Sequence, residues 1–250
     1  MPVMGIPLIK PGDDLAGILI QTIRESDIAP QDGDIWILAQ KIVSKAENRL
    51  MNINQVVPSS KAFEIANKTR KDPRFVELVL RESSEVLRQK PGVLIVEHKK
   101  GFVCANAGVD HSNVDPDGGN EEDWYLLLPE DPDQSAANIR TKLENMWKCK
   151  FGVLIIDSHG RAWRNGTVGV AIGISGLPGL VDLRGKPDIF GYKLQITRVG
   201  AADELAAAAS LVMGQADERK PVVIARGFPY GLREGMLDEL IRPKEEDLFR

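Results

Sequence analysis

The chain has 250 residues, 43% of them hydrophobic and 27% charged, with a formal net charge of −4. That length can bury a large core, and the mixture is that of a globular protein, which excludes disordered and fibrous classes. The acidic balance excludes general nucleic-acid binding, because neutralising a phosphate backbone takes a basic surface.

In chain order, Asp13 reads as the N-cap of a helix in which Leu15, Ile18, Leu19 and Ile23 recur at helical spacing. Residues 35–39 read as a buried strand running into a segment with Lys41 and Lys45. Two lysines four apart could approach one anion, and each alone reads equally as a solvated surface charge. Helices are expected over 58–68 and 72–82, with proline near each start. Residues 93–97 and 102–105 read as short strands about a polar turn that contains His98.

The loop 106–114 carries Asp110, His111, Ser112 and Asn113. Asp110 and Asn113 could share a cation or a phosphate group, and they equally suit an ordinary turn. His111 lacks a partner at zinc-site spacing and stays outside the metal set. The acidic stretch 115–123 reads as an exposed, mobile loop, 124–128 as a strand, and Ser135 as the cap of a helix that includes Ile139, Leu143, Met146 and Trp147.

In FGVLIIDSHGRAWRNGTVGVAIGISG, residues 151–176, an apolar run ends at Asp157 and Ser158, and a glycine-rich strand follows the turn. A buried strand that delivers an acid to a sheet edge, followed by a basic turn, suggests a metal and phosphate site. The pattern equally fits a hairpin with a polar turn. Beyond it, 177–186 reads as a loop, 193–199 as a strand, 201–213 as an alanine-rich helix that exits at Gly214, and 221–226 as a buried strand. The helix exit suits a purine or phosphate contact as well as a plain cap.

Neither GxxxxGK[ST] nor a GxGxxG between strand and helix occurs, so a nucleotide site must be built differently. Ser158-His159 is not a hydrolase pair, because neighbours in an extended segment point apart and no GxSxG surrounds the serine. Cys104 and Cys149 form no CxxC pair, and no apolar run nears the roughly 18 residues of a membrane span. With no signal-peptide pattern at the N-terminus, a cytoplasmic location is expected, with neither membrane nor nucleic acid as partner.

Two separated acidic clusters, a lysine pair and glycine-rich backbone suit metal-assisted phosphoryl transfer or simple metal binding. The segments GIPLIKPGDDL, DGDIWILAQKIVSKAENRL, NAGVDHSNV, LLPEDPDQSA, DSHGRAWRNGTVGVAIGISG and ADELAAAASLVMGQ occur in this order. Together they resemble the coenzyme F420-0:γ-glutamyl ligase family over most of residues 5–230.

The resemblance implies an α+β, mixed-sheet, two-lobed protein that intertwines as a homodimer. Its ligase-type domain would span 1–240, with a charged tail or linker over 241–250. The implied reaction joins L-glutamate to the lactyl carboxylate of the deazaflavin precursor F420-0 through an acyl phosphate, using GTP and Mg²⁺ or Mn²⁺, with K⁺ as a further ion. Further γ-linked glutamates can follow, and some relatives continue into a flavin-binding, nitroreductase-like domain.

By matching segment, Asp110, Asp157, Ser158 and Gln215 are implied metal ligands, and Asp110, Asp157 and Lys45 the catalytic set. Gly5, Ile6, Pro7, Leu8, Gln40, Lys41, Lys45 and Asn113, with Met213, Gly214, Gln215, Ala216, Asp217 and Glu218, are the implied nucleotide contacts. Arg161 and Arg164 suit an acidic substrate or plain surface pairing.

Two departures stand out. Gln215 and Ala216 replace a glutamate and glycine found in several relatives, which puts a second metal in question because an amide binds a divalent cation less strongly than a carboxylate. Lys41 stands where relatives often carry a small hydroxyl residue. A non-catalytic subunit that binds nucleotide or deazaflavin is the alternative function, and a ligase for another carboxylate is a third.

Overall fold

The computed structural model describes residues 1–114 and 123–248. Its centre is a mixed four-stranded sheet in the order β11-β1-β7-β8. β1 (Ile35–Ala39) lies parallel to β7 (Gly152–Arg161), and β11 (Val222–Ala225) and β8 (Arg164–Ser175) flank them antiparallel. The first residues extend the sheet: Val3 N–H donates to Val222 O at 2.8 Å, Ile224 N–H to Met1 O at 2.8 Å, and the Met1 ammonium to Ile224 O at 2.8 Å.

Apolar runs on β1 and β7 bury both faces of the sheet, because alternate residues go to opposite sides. Trp36, Leu38, Val153 and Ile155 meet α1 (Leu15–Arg24) and α5 (Pro132–Trp147). Ile35, Ile37, Leu154 and Ile156 meet α6 (Ala201–Met213). Two glycines of β8 let helices come close. A Cβ on Gly169 would stand 2.5 Å from Ala206 O in α6, and one on Gly173 would stand 2.5 Å from Pro132 O in α5.

A third apolar cluster joins α3 (Ser60–Thr69) and α4 (Pro73–Arg81) to the three-stranded sheet β3 (Ser83–Lys90), β4 (Val93–His98) and β5 (Val103–Ala105). A ribbon of β2 (Leu50–Asn52) and β6 (Trp124–Leu126) bridges the two units. A small arm of β9 (Val181–Asp182) and β10 (Arg198–Val199) projects Ile189, Phe190 and Ile196, which are 91, 89 and 86% exposed. Lys244 of the tail reaches Glu97 at 2.9 Å. The α+β class and its mixed sheet agree with the sequence reading.

Several local expectations are corrected. The strand does not stop at Asp157 but continues to Arg161, because β8 goes on pairing with it beyond the parallel register with β1. Asp14, not Asp13, precedes α1, while Asp13 Oδ2 accepts from Lys10 N–H at 2.7 Å in the turn before it. Asp131, not Ser135, caps α5, and Ser135 sits one turn inside the helix with its Oγ donating to Glu47. Of 193–199 only Arg198–Val199 is strand. β3 escaped the sequence reading because its mixed polar residues lie on a half-exposed edge of the small sheet. The expected mobile loop at 115–123 falls outside the described residues except for Asp123.

Candidate active site

Four chain segments converge at one end of the large sheet, where the parallel strands β1 and β7 both point. α2 (Gln40–Ala46) follows β1 directly, and β7 carries Asp157 one step past its last pairing with β1, Ala39 with Ile156. The segment 214–220 arrives here before β11, as Ala39 N–H donating to Pro221 O at 2.9 Å shows. The N-terminal edge runs antiparallel to β11, so Gly5, Ile6, Pro7 and Leu8 leave it at this same end. In open α/β sheets the crevice beyond the carboxyl ends of parallel strands is the usual ligand position.

A fifth segment is drawn in by α2. Lys41 Nζ pairs with Asp110 Oδ2 at 2.7 Å and donates to Ser112 Oγ at 2.7 Å and Ser112 O at 2.9 Å. Ser112 in turn donates from Oγ and N to Asp110 Oδ1 at 3.0 and 3.1 Å. The approach to Asp110 is strained: Asn106, Ala107 and Gly108 take φ of 53, 54 and 68°, a region that costs a non-glycine residue on the order of 1 kcal/mol or more. Lys45 lies one helical turn from Lys41 on the same face and is half-buried. Asn113 is exposed at φ 57°.

Gln40 is buried, and its Oε1 accepts from Ser44 Oγ at 2.8 Å, while its Nε2 donor has no partner among the described residues. A buried amide left so is costly unless something else engages it.

On β7 the side chains divide. Asp157 Oδ2 accepts from His159 Nε2 at 3.0 Å, and its charge helps burial push the Cys104 thiol up to about 12. Ser158 points to the other face, where its Oγ donates to Gln215 Oε1 at 2.9 Å and Gln215 Nε2 donates to Ser210 Oγ at 2.9 Å. Gly214, at φ 81°, lies under the Glu218 carboxylate, which accepts from Ala216 N–H at 2.8 Å; that bond holds Glu218 below the usual carboxylate range. Met213 is buried against the sheet, and Asp217 is exposed. Arg161 and Arg164 face each other at the exposed hairpin tip.

The structure therefore brings Lys41 to Asp110 and Ser158 to Gln215, and sets Asp157 and Ser158 on opposite faces of one strand. Among the described residues no three His, Cys, Asp or Glu side chains gather as a ligand set. The oxygen donors present suit a hard divalent cation completed by substrate phosphates, since such ions commonly take one or two carboxylates from the protein. Asp157 Oδ1 is free of hydrogen bonds among the described residues.

Sequence reasoning gave Ser112, Ser210 and His159 no role at this site. Only folding brings Lys41 to Ser112 across 71 positions, whereas Ser112 with Asp110 and Ser210 with Gln215 are local pairs. His159 was legible, because residues two apart on a strand share a face.

Comparison with known proteins places the chain in a family. Residues 4–227 match the family described as F420-0:Gamma-glutamyl ligase. A coenzyme F420:L-glutamate ligase of Methanothermobacter thermautotrophicus is 48% identical over 250 residues, covering 99% of this chain and 97% of that protein. Proteins of the same name from Methanocaldococcus jannaschii and Archaeoglobus fulgidus are 43% and 42% identical, covering 98% and 100% of this chain and 94% and 95% of their own lengths. The chain belongs to the F420-0:γ-glutamyl ligase family.

Proposed function

We propose that this chain joins L-glutamate to the lactyl carboxylate of the deazaflavin precursor F420-0 in the cytoplasm, using GTP with Mg²⁺ or Mn²⁺, and extends the product by further γ-linked glutamates. The observation that carries this reading is the convergence of residues 5–8, α2, Asp110, Asp157 and residues 214–220 on one end of the sheet.

A carboxylate is a poor electrophile, so it must first accept a phosphoryl group. Glutamate's amine then attacks the acyl phosphate carbon, the amide C–N bond forms, the C–O bond to phosphate breaks, and the amine proton leaves to solvent or a base. Asp110 and Asp157 would hold the cation, which when bound draws charge from the polyphosphate. Lys41 and Lys45 place positive charge on one face of α2, where the transferring group gains negative charge. The unpartnered Nε2 of buried Gln40 offers the nucleotide a donor. Ser158 and Gln215, already bonded to each other, are neutral oxygen ligands for at most a weaker second cation.

The sheet with its two helix layers serves as one lobe in this reading, and the unit of α3, α4 and β3–β5 as the other. Two chains work as a homodimer joined through the β9–β10 arm.

The test incubates the protein with GTP, Mg²⁺ or Mn²⁺, glutamate and the precursor, and reads product mass together with phosphate release. One glutamate gained per phosphate released is expected. Asp157→Ala is expected to abolish product while leaving the melting temperature within a few degrees. GTP binding without any product would instead identify a binding subunit, and product made by the Asp157 variant at the normal rate would remove that residue from the site.

A further inference from the structure

Asp157 stands one step past the parallel register, and from there β7 runs outward with β8 as its hydrogen-bonded strand. A carboxylate there has a weakly restrained terminal torsion, since rotation about the bond to an sp² carbon is broad. To present one oxygen to a cation, something must hold the other.

His159 is placed to do so. It lies two residues on, on the same face, and its Nε2–H reaches Asp157 Oδ2 at 3.0 Å, with the two side chains only 11 and 14% exposed. An exposed pair would be mobile and screened; this one is walled in. The His159 ring packs on Phe102 with centroids 5.5 Å apart, and Phe102 lies flat on His98 at 4.7 Å and 4°. His98 is fixed in turn, because its Nδ1 accepts from Lys100 N–H at 3.1 Å. Burial, helped by nearby Lys99 and Lys100, pushes the His98 imidazolium down to about 4, so the far side of the wall is neutral at physiological pH.

We propose that His159 is the positioning residue of the site: by donating to Asp157 Oδ2 from a ring clamped against Phe102, it turns Oδ1 toward the divalent cation. Hydrogen bonds to a ligating carboxylate orient it and sustain its affinity, and their loss typically weakens metal binding about ten- to a hundredfold. This inference rests on the proposed cation site.

The test measures free Mn²⁺ by electron paramagnetic resonance during titration of the full-length protein in the presence of GDP. Wild type is compared with Asp157→Asn, His159→Leu and His159→Gln. Leucine keeps the bulk without a donor, and glutamine keeps a donor near the Nε2 position. His159→Leu is expected to weaken Mn²⁺ about ten- to a hundredfold, and His159→Gln to recover most of that loss. In turnover, the leucine variant is expected to raise the KM for Mn²⁺ more than it lowers kcat at saturating metal. Asp157→Asn that loses Mn²⁺ while His159→Leu binds as wild type overturns the role of His159 and leaves the cation site standing. Glutamine no better than leucine also overturns it, because the donor would then be irrelevant. Unchanged binding by Asp157→Asn removes the cation site, and this role with it.

Discussion

Between Glu97 and Lys99, His98 reads as one more polar residue of a turn, yet folding buries it to 3% exposure. Its pKa falls from 6.5 to about 4, chiefly through burial. Above the unfolded value the ring is neutral in both states and its contribution to stability is complete. As pH falls from about 6.5 toward 4, the unfolded chain takes up a proton that the folded one refuses, so stability drops by up to about 3 kcal/mol. His98→Asn keeps an acceptor near Lys100 N–H and removes the titration. Its melting temperature is expected to vary less between pH 6.5 and 4 than that of wild type, as scanning calorimetry would read. Single residues with strong chemistry, Asp110 and Asp157, were visible in the sequence. Their immediate partners were less so: Lys41 and Ser112 are 71 positions apart, and nothing local says that a lysine on one element will clasp a loop on another.

At the scale of elements, periodicity located the long helices and the buried strands, and it marked the glycine-rich strand β8 as one that admits a close neighbour. The structure shows which neighbours: α6 at Gly169 and α5 at Gly173. Gly169→Ala would drive a methyl group into the Ala206 carbonyl and the Ser210 side chain, and overpacking of this kind typically costs about 1–3 kcal/mol. Gly160→Ala, where nothing lies within 4 Å, is expected to cost none of that penalty. Urea unfolding of the two variants gives the comparison. What periodicity misplaced were ends. Strand β7 outruns its apolar stretch because the hairpin keeps its backbone bonded after the core has ended, and polar Asp157 to Arg161 travel with it. The N-caps at Asp13 and Ser135 were misplaced because several acids and serines stand near each helix start, and only backbone geometry chooses among them.

For the molecule as a whole, the alternation of helices and strands announced an α+β protein, whereas strand order was not legible: β1 pairs with partners more than a hundred residues away. The β9–β10 arm holds Ile189, Phe190 and Ile196 in solvent, an arrangement that an isolated chain has little reason to keep. If the arm joins two copies, Phe190→Asp shifts the protein from dimer to monomer in sedimentation equilibrium; an unchanged mass for that variant, or a monomeric wild type, counts against this interface. The stitching of Met1 and Val3 to β11 also bears on how the sheet closes. Residues 1–3 find their place only against residues 222–224, so this rim of the central sheet closes only once segments as much as 223 positions apart have met. Until then the end of the sheet toward which β1 and β7 point lacks one wall, so order there depends on a contact that spans most of the chain.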